Sequence, residues 1–163
     1  MTLAFVGLGA NLGDARATIV DTFAELAQLP QTRVTATSSL YASAPVDAGG
    51  PDFVNAVAAL DTGLDPHSLL AELLRIEARH GRTRAYRNAP RTLDLDLLLH
   101  GESLIDDATL TLPHPRMAAR AFVLVPLAEI APHLVLPSGQ SVASLAAQVR
   151  EQKLTMLATR LPP

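Results

Sequence analysis

The sequence predicts an α+β fold in which a ferredoxin-like antiparallel sheet carries helices on both faces, as α/β/α layers. Through residue 100, strand-like and helix-like patterns follow the order strand, helix, strand, strand, helix, strand. Their spacing is too irregular for repeated strand–helix–strand units. The chain has 163 residues, of which 48% are hydrophobic and 18% charged, which suits one core. We therefore predict a single domain over residues 1–163.

The first predicted strand, residues 3–8, is an apolar run that leads into the glycine-rich sequence GLGANLG. This is a weak match to a dinucleotide-binding turn, because its third glycine is one position late and no acidic residue ends the next strand. The alternative is a tight strand-to-helix turn in which glycine supplies a positive φ. Residues 14–28 then show helical spacing, and Pro30 ends that helix.

The next elements are a predicted strand over residues 33–41, a Pro- and Gly-containing loop over 42–52 and a strand over 53–60. A loop of that length is often functional. The last strand contains Asn55, a residue type that is depleted in strands. Two interpretations stay open for Asn55: an edge position satisfied by water, or a buried amide that pairs with a planar heterocycle.

A second helix is predicted to begin at Asp65 and Pro66, which suit a cap and a first turn, and to end at Gly81. Six of the twelve arginines lie between residues 75 and 91. The loop over 82–91 therefore concentrates positive charge of the kind that can close on phosphates. The alternative is a solvated basic loop.

The strand over residues 92–100 is the most informative stretch. Because side chains alternate along a strand, Asp94 and Asp96 are predicted to share one face. The opposite face would hold Leu93, Leu95, Leu97 and Leu99. Two adjacent carboxylates repel each other and resist desolvation, and Mg²⁺ often binds one or two carboxylates together with substrate phosphates. The alternative is a strand with one solvated face.

Beyond Gly101 we predict short strands over 102–105 and 109–112, a helix over 118–130 interrupted at Pro126, and a short helix over 142–149. Residues 151–163 show no pattern that predicts an element.

Composition excludes or disfavours several classes of protein. The chain has no cysteine, which excludes disulfides, thiolate metal sites and a cysteine nucleophile. A net charge of −3 without a basic tail disfavours general nucleic-acid binding. The first residues carry neither the charged region of a signal peptide nor a membrane-length apolar run, so we expect a cytoplasmic protein that does not enter a membrane. The standard phosphate-binding loop and the kinase signatures are missing from the sequence.

The strand sequence PRTLDLDLLLHG resembles the signature of the 6-hydroxymethyl-7,8-dihydropterin pyrophosphokinase (HPPK) family of folate biosynthesis. Five further segments resemble family segments and occur in family order: VGLGANLGD, YASAPV, PDFVNAVAALDT, RIEARHGRTR and LPHPRMAARAFVLVPLAEIAP. The resemblance covers residues 3–137. It implies transfer of an intact pyrophosphoryl group from ATP to the pterin hydroxymethyl group, which leaves AMP. It also implies a monomer that binds two Mg²⁺ ions.

The resemblance implies four sets of site residues. Asp94 and Asp96 would hold the metal. The arginines that would contact the reacting phosphates are Arg82 and Arg91. The nucleotide is expected against Glu77, Arg84, Thr111, His114 and Arg120. The pterin is expected against Ser43, Ala44, Val46, Phe53, Asn55 and Phe122.

The chain departs from the family pattern at four positions outside the metal and phosphate sets. These are Ala44, Asn88, Ala89 and Pro115, where members of the family can carry Pro, Trp, Gly and an aromatic residue. We expect the departures to affect loop stiffness and contacts at the rim.

Two other functions remain open at this point. The Asp pair could serve a metal-dependent nuclease or phosphatase, although the Arg-rich loop argues against it. A ferredoxin-like regulatory module could bind a nucleotide without chemistry, and it would bind ATP without turnover when dihydropterin is added.

Replacing Arg82 or Arg91 with alanine should lower turnover far more than it weakens ATP binding, because both are expected to act on developing charge. Lysine should restore little activity, since a point charge cannot reproduce the bidentate fork of arginine. Steady-state kinetics and ATP titration measure the two effects. A variant with normal turnover and only a raised KM would contradict this role.

Overall fold

The computed structural model of the chain describes residues 1–45, 50–81 and 92–158. Its helices are α1 (Ala15–Leu26), α2 (Pro66–Arg79), α3 (Ala121–Ile130) and α4 (Val142–Gln148), with one 3₁₀ turn at Met117–Ala119. Its strands are β1 (Thr2–Ala10), β2 (Thr32–Thr37), β3 (Leu40–Ser43), β4 (Phe53–Thr62), β5 (Asp94–His100), β6 (Ile105–Asp106), β7 (Thr111–Leu112) and β8 (Thr155–Ala158). No helix in the described part of the chain is long and apolar enough to cross a membrane.

The main sheet is antiparallel and has the order β5-β1-β4-β3-β8, with β2 also paired to β4. One face packs against α1 and α2 through a core that includes Ile19 and Leu73. The other face packs against α3 and α4 through a second core that includes Leu124 and Leu145. The predicted ferredoxin-like sheet with helices on both faces is confirmed.

The predicted strand over residues 33–41 is in fact two strands, β2 and β3. The two strands are separated at Ser38 and Ser39, where side chains join the backbone in hydrogen bonding: the Ser38 amide still donates to the Val57 carbonyl. Ser38 Oγ accepts a hydrogen bond from the amide of Val57, and Ser39 donates from its amide and hydroxyl to Glu129. Side-chain bonds of serine to backbone groups compete with a continuous ladder.

The interpretation as a strand-to-helix turn is correct for Gly13, which lies between β1 and α1, but neither interpretation is correct for Gly7 and Gly9. Both lie inside β1, and only Gly13 of this sequence has a positive φ, of 62°. Glycine within a strand commonly marks a place where another group approaches the backbone closely.

The predicted alternation along β5 holds as far as Leu97 and then fails. The pairing register with β1 shifts between Phe5 and Val6, which face Leu99 and Leu97, so Leu98 is an extra residue. Leu98 and Leu99 consequently both belong to the core under α3 and α4, and the prediction that Leu99 shares the face of Leu97 was wrong. A bulge of this kind bends a strand and re-aims the side chains that follow it.

Two predictions about the second half of the chain need correction. The helix predicted from residue 118 begins at Ala121, after the 3₁₀ turn, and it continues through Pro126. The region after residue 150, which showed no pattern, contributes β8 beside β3. A strand of four residues, of which Thr155 and Met156 are exposed, gives too short a signal to recognise in sequence.

Glu129 near the end of α3 ties that helix to the start of β3. Its carboxylate accepts hydrogen bonds from the Ser39 amide at 2.9 Å, the Ser39 hydroxyl at 2.6 Å and the Tyr41 hydroxyl at 2.7 Å. Burial, and then the hydrogen bond and charge of Glu129, raise the pKa of Tyr41 above its usual value. Tyr41 therefore remains a neutral donor at physiological pH.

Glu129→Ala should lower the free energy of unfolding by about 2–4 kcal/mol, because it leaves a buried phenol and a backbone amide without their acceptor. Tyr41→Phe removes one of the three bonds and should cost about 1 kcal/mol. Urea unfolding measures both, with the exposed Glu151→Ala as a control that should change little. A Glu129→Ala protein as stable as this control would contradict the role assigned to the carboxylate.

Candidate active site

The pairing of β1 with both neighbours aligns three site positions across the sheet. Gly9 of β1 lies opposite Asn55 of β4 on one side and opposite Asp94 of β5 on the other. Gly7 occupies the same position next to Asp96. Because glycine has no side chain, β1 contributes only backbone to the surface between Asn55 and the Asp pair, and the side chain of Leu98 lies beside Gly7.

An inner cavity of about 180 Å³ lies over this backbone surface. Its floor is the middle of β1, and its walls come from the end of β3, from β4, from β5 and from the start of α3. The predicted site residues in its lining are Ser43, Ala44, Phe53, Asn55, Asp94, Asp96, Arg120 and Phe122. The fold thus brings together residues that lie up to 79 positions apart in the sequence.

Asn55 is a buried amide at the wall of the inner cavity, with 4% of its surface exposed. Its Nδ2 donates to Ser43 Oγ at 2.7 Å. Its Oδ1 lies 3.5 Å from the position that a Cβ on Gly9 would take. The interpretation of Asn55 as a hydrated edge residue is therefore excluded, and its amide is held so that the oxygen lies above the glycine floor.

Asp96 connects the inner cavity to two further cavities. An outer cavity of about 300 Å³ is lined by Leu70, by Asp96 with its neighbours in β5, by residues 107–111 and by His114 and Pro115. A junction cavity of about 380 Å³, which shares lining residues with both, is lined by Asp94, Asp96, His114, Pro115, Arg116 and Arg120. Asp96 lines all three cavities, and Asp94 lines the inner and junction cavities.

His114 contributes a neutral imidazole to the junction. Burial lowers its pKa, Asp96 opposes this shift, and Arg120 and Arg116 lower the pKa further. Its Nδ1 accepts a hydrogen bond from the amide of Arg116 at 3.2 Å, so the proton of the neutral ring resides on Nε2. Nε2 lies 3.8 Å from Asp96 Oδ1. His114 can therefore offer one N–H group toward the cavity without adding a full positive charge.

Arg120 supplies a cation at the point where the inner and junction cavities meet. Its guanidinium carbon lies 5.3 Å from the centre of the Phe122 ring, within range of a cation–π interaction. An arginine in this place can reach a phosphate in the junction while its neighbour Phe122 faces the inner cavity.

Glu77 lies behind the Asp pair and does not line the three cavities. It is buried, with 2% of its surface exposed, and its Oε2 accepts a hydrogen bond from the Leu95 amide at 2.7 Å. Leu95 stands between Asp94 and Asp96. The last turn of α2 thus fixes the part of β5 that presents the two carboxylates.

The other predicted site residues have different outcomes. Thr111 lines the outer cavity next to His114. Val46, Arg82, Arg84 and Arg91 fall outside the described residues, and so does the whole Arg-rich loop over 82–91.

Sequence reasoning missed the glycine floor, Gly7 and Gly9, and the segment 107–110 of the outer cavity. Alternating glycines inside an apolar strand were the available signal for the floor. The 107–110 turn is organised by Asp107, whose carboxylate accepts from the amides of Thr109 and Leu110 and whose other oxygen lies 2.8 Å from His67 Nε2. Hydrogen bonds lower the pKa of Asp107 to about 2, and the bonds to the Thr109 amide and to His67 contribute most.

The donor set fits Mg²⁺ bound together with a phosphate ligand. Asp94 and Asp96 lie on one face of β5, and the side chain of Asp96 is 47% exposed toward the cavities. Among the described residues there is no group of three or more His, Cys, Asp or Glu that could hold a metal alone. Mg²⁺ commonly uses one or two carboxylates and takes its remaining ligands from phosphates and water.

Comparison with known proteins identifies the family. Residues 5–132 match the model of the 7,8-dihydro-6-hydroxymethylpterin-pyrophosphokinase (HPPK) family. A 2-amino-4-hydroxy-6-hydroxymethyldihydropteridine pyrophosphokinase of Pseudomonas aeruginosa is 51% identical over 88% of this chain and 89% of its own length. The enzyme of that name from Haemophilus influenzae is 44% identical over 96% of this chain and 99% of its own.

Solved structures of HPPK-DHPS chains share the fold. The Plasmodium falciparum HPPK-DHPS bound to pteroate has a TM-score of 0.72 at 15% identity, covering 90% of this chain and 42% of that one. An HPPK-DHPS in complex with substrates has a TM-score of 0.76 at 13% identity, covering 98% and 48%. This chain therefore spans less than half the length of those structural relatives. From the family match and the identity to the bacterial relatives, the chain belongs to the 7,8-dihydro-6-hydroxymethylpterin-pyrophosphokinase family.

Proposed function

We propose that the three joined cavities are the site of the family reaction, with the pterin in the inner cavity, the adenosine of ATP in the outer cavity and the phosphates at the junction. The protein is a pyrophosphokinase of folate biosynthesis, which transfers pyrophosphate from ATP to 6-hydroxymethyl-7,8-dihydropterin. The observation that carries this placement is that Asp96 lines all three cavities. A group transferred between two substrates must pass the residue that both cavities share.

The inner cavity suits a flat, polar-edged ring. Phe53 and Phe122 would stack against the pterin, and the amide of Asn55 would pair with its edge. Ser43 fixes that amide by accepting its Nδ2 hydrogen, so the side chain is oriented before the substrate arrives. The backbone of Ala44 and Val46 would meet the same ring edge, as the family resemblance implies.

The nucleotide would lie against Thr111 and His114, with Arg84 and Arg120 near its phosphates. Glu77 would serve this end of the site through β5, because its carboxylate holds the Leu95 amide between the two aspartates. The Nε2–H group of His114 would donate a hydrogen bond to a phosphate oxygen. Because the imidazole is neutral, it attracts the Asp96 carboxylate less strongly than an imidazolium would, so this carboxylate stays available to the metal.

Asp94 and Asp96 would hold the Mg²⁺, and we propose two ions. Bound Mg²⁺ offsets the negative charge of the phosphates toward the incoming alcohol. Arg82 and Arg91 would hold phosphate oxygens with two hydrogen bonds each. The pterin hydroxyl oxygen would form a bond to the β-phosphorus as the α–β phosphoanhydride bond breaks, so AMP leaves and the hydroxyl proton passes to solvent.

We also propose that the protein acts in the cytoplasm, where ATP is abundant, and as a monomer. The monomer is what the family resemblance implies.

The identity of the adenine product tests the reaction. Attack at the β-phosphorus gives AMP and a pterin diphosphate, whereas attack at the γ-phosphorus gives ADP. Chromatography after incubation with ATP, Mg²⁺ and the hydroxymethyl dihydropterin should show AMP and the pterin diphosphate in equal amounts. ADP, or phosphate release without a pterin product, would refute the proposed chemistry.

Gly9→Ala should weaken pterin binding about tenfold or more while ATP binding stays within about twofold. The added methyl would meet Asn55 Oδ1 at 3.5 Å and Phe53 Cδ1 at 3.9 Å, which are ordinary contacts, so the fold should survive. The methyl would, however, stand on the floor of a cavity of about 180 Å³. Pterin fluorescence and ATP calorimetry measure the two affinities. If the variant binds the pterin as tightly as the unsubstituted protein does, the ring does not bind over Gly9.

Asp94→Asn and Asp96→Asn should each abolish turnover at saturating Mg²⁺ and leave the fold intact. Removing one of two neighbouring carboxylates relieves repulsion, so the metal-free melting temperature should stay unchanged or rise by an amount equivalent to about 1 kcal/mol. Calorimetric scans without metal, together with the AMP assay, test both points. Variants that melt several degrees lower and still form AMP would show that the pair is structural.

A further inference from the structure

The segment that follows α4 contacts both walls of the inner cavity, although it lines none of it. One wall is the end of β3, which leads to Ser43 and Ala44, and the other is the start of α3, which carries Phe122. Gln152 contacts the second wall, and β8 pairs with the first. Two residues, 153 and 154, connect Gln152 to β8.

Gln152 holds the backbone on both sides of Arg120. Its Oε1 accepts a hydrogen bond from the Ala121 amide at 2.9 Å, and its Nε2 donates to the Ala119 carbonyl at 2.9 Å. The orientation of the Gln152 amide is settled by this chemistry, because an N–H group and a carbonyl need opposite partners. The residue is largely exposed, so these two bonds are its main contribution and it adds little to the core.

The Ala121 amide has no hydrogen-bond acceptor within α3, because it is the first amide of the helix. The first amides of an α-helix have no acceptor within it, and an N-cap side chain usually supplies one. Arg120 occupies the N-cap of α3 and makes no side-chain cap hydrogen bond. Gln152 supplies the missing acceptor from another part of the chain, which leaves the Arg120 side chain at the edge of the inner and junction cavities.

The first wall is held by strand pairing. In the register of β3 and β8, Ala42 lies opposite Thr155 and Tyr41 lies opposite Met156. Ser43 follows directly, and its hydroxyl accepts the Asn55 amide hydrogen. The same short segment therefore fixes the strand before Ser43 and the helix start before Phe122.

We propose that Gln152 is a positioning residue for the pterin, and that the segment 152–158 sets the separation of the two walls that enclose it. This rests on the proposed function, because it takes Arg120 and Phe122 as substrate contacts. Gln152 touches no substrate in this proposal. It acts through the backbone around Arg120.

The test compares Gln152→Ala, which removes two hydrogen bonds, with Ser141→Ala, a control that removes one exposed hydrogen bond at the start of another helix. Ser141 Oγ accepts from the Ser144 amide at 3.1 Å and caps α4, and Ser141 lines none of the three cavities. Both variants should melt a few degrees lower. Gln152→Ala should weaken pterin binding and lower kcat/KM for the pterin about tenfold, which corresponds to about 1.4 kcal/mol, whereas Ser141→Ala should stay within about twofold.

Gln152→Glu separates stability from positioning. It keeps an acceptor for Ala121 and places a negative charge at the helix N-terminus, so its melting temperature should match the parent protein. It loses the donor to Ala119, and we expect kcat/KM to remain several-fold low. This variant decides the matter if Gln152→Ala fails to fold.

The two hypotheses fail in different ways. An unsubstituted protein that forms no AMP from ATP and the pterin would refute the proposed function. An active protein in which Gln152→Ala, or Gln152→Glu if the alanine variant does not fold, leaves pterin affinity and kcat/KM within twofold would overturn the positioning role alone.

Discussion

The site depends on strand β1 being paired on both sides. Its hydrogen bonds to β4 and β5 fix the register that places Asn55, Gly9 and Asp94 in one row across the sheet. A shift of one residue in either pairing would turn Asn55 or the Asp pair to the opposite face, into the core beneath α1 and α2. The spacing between the Asn55 amide, proposed to bind the pterin, and the carboxylates proposed to bind the metal is therefore set by two strand widths, about 10 Å. No loop has to move for that distance to be correct.

The opposite side of the inner cavity is formed by the end of β3 and the start of α3, and side-chain hydrogen bonds hold these elements in place. Glu129 joins the far end of α3 to Ser39 and Tyr41, while Gln152 fixes its near end. Between them the helix is held to the strand that leads to Ser43. On this side of the cavity, side-chain hydrogen bonds fix the positions of the elements, whereas backbone pairing between strands fixes them at the floor formed by β1. Glu129 lies far along the chain from the β3 segment that it holds, and Gln152 lies about 30 residues beyond the start of α3.

The sequence was informative where a pattern repeats over several residues and where a residue type is out of place. Alternation identified β5, and an amide inside an apolar strand identified Asn55. The resemblance of six segments supplied the substrate and most site roles. The face of Leu99 was mispredicted because the bulge depends on a register shift opposite Phe5 and Val6, which one strand alone does not reveal. Gln152 and Glu129 were not foreseen, since each acts on a distant backbone group and nothing local marks its partner.

Strand β5 forms one border of the described main sheet, and its central residues are strongly apolar. Uncovered border strands of that kind invite pairing with another molecule and lead to aggregation. Here the Leu95 amide, which would otherwise be available to a neighbouring chain, is already occupied by Glu77. Asp94 and Asp96 add charge beside it, which an incoming strand would have to desolvate. Under the proposed function, the two aspartates that would hold the metal would also oppose self-association along this border, so solubility and catalysis would depend on the same two side chains.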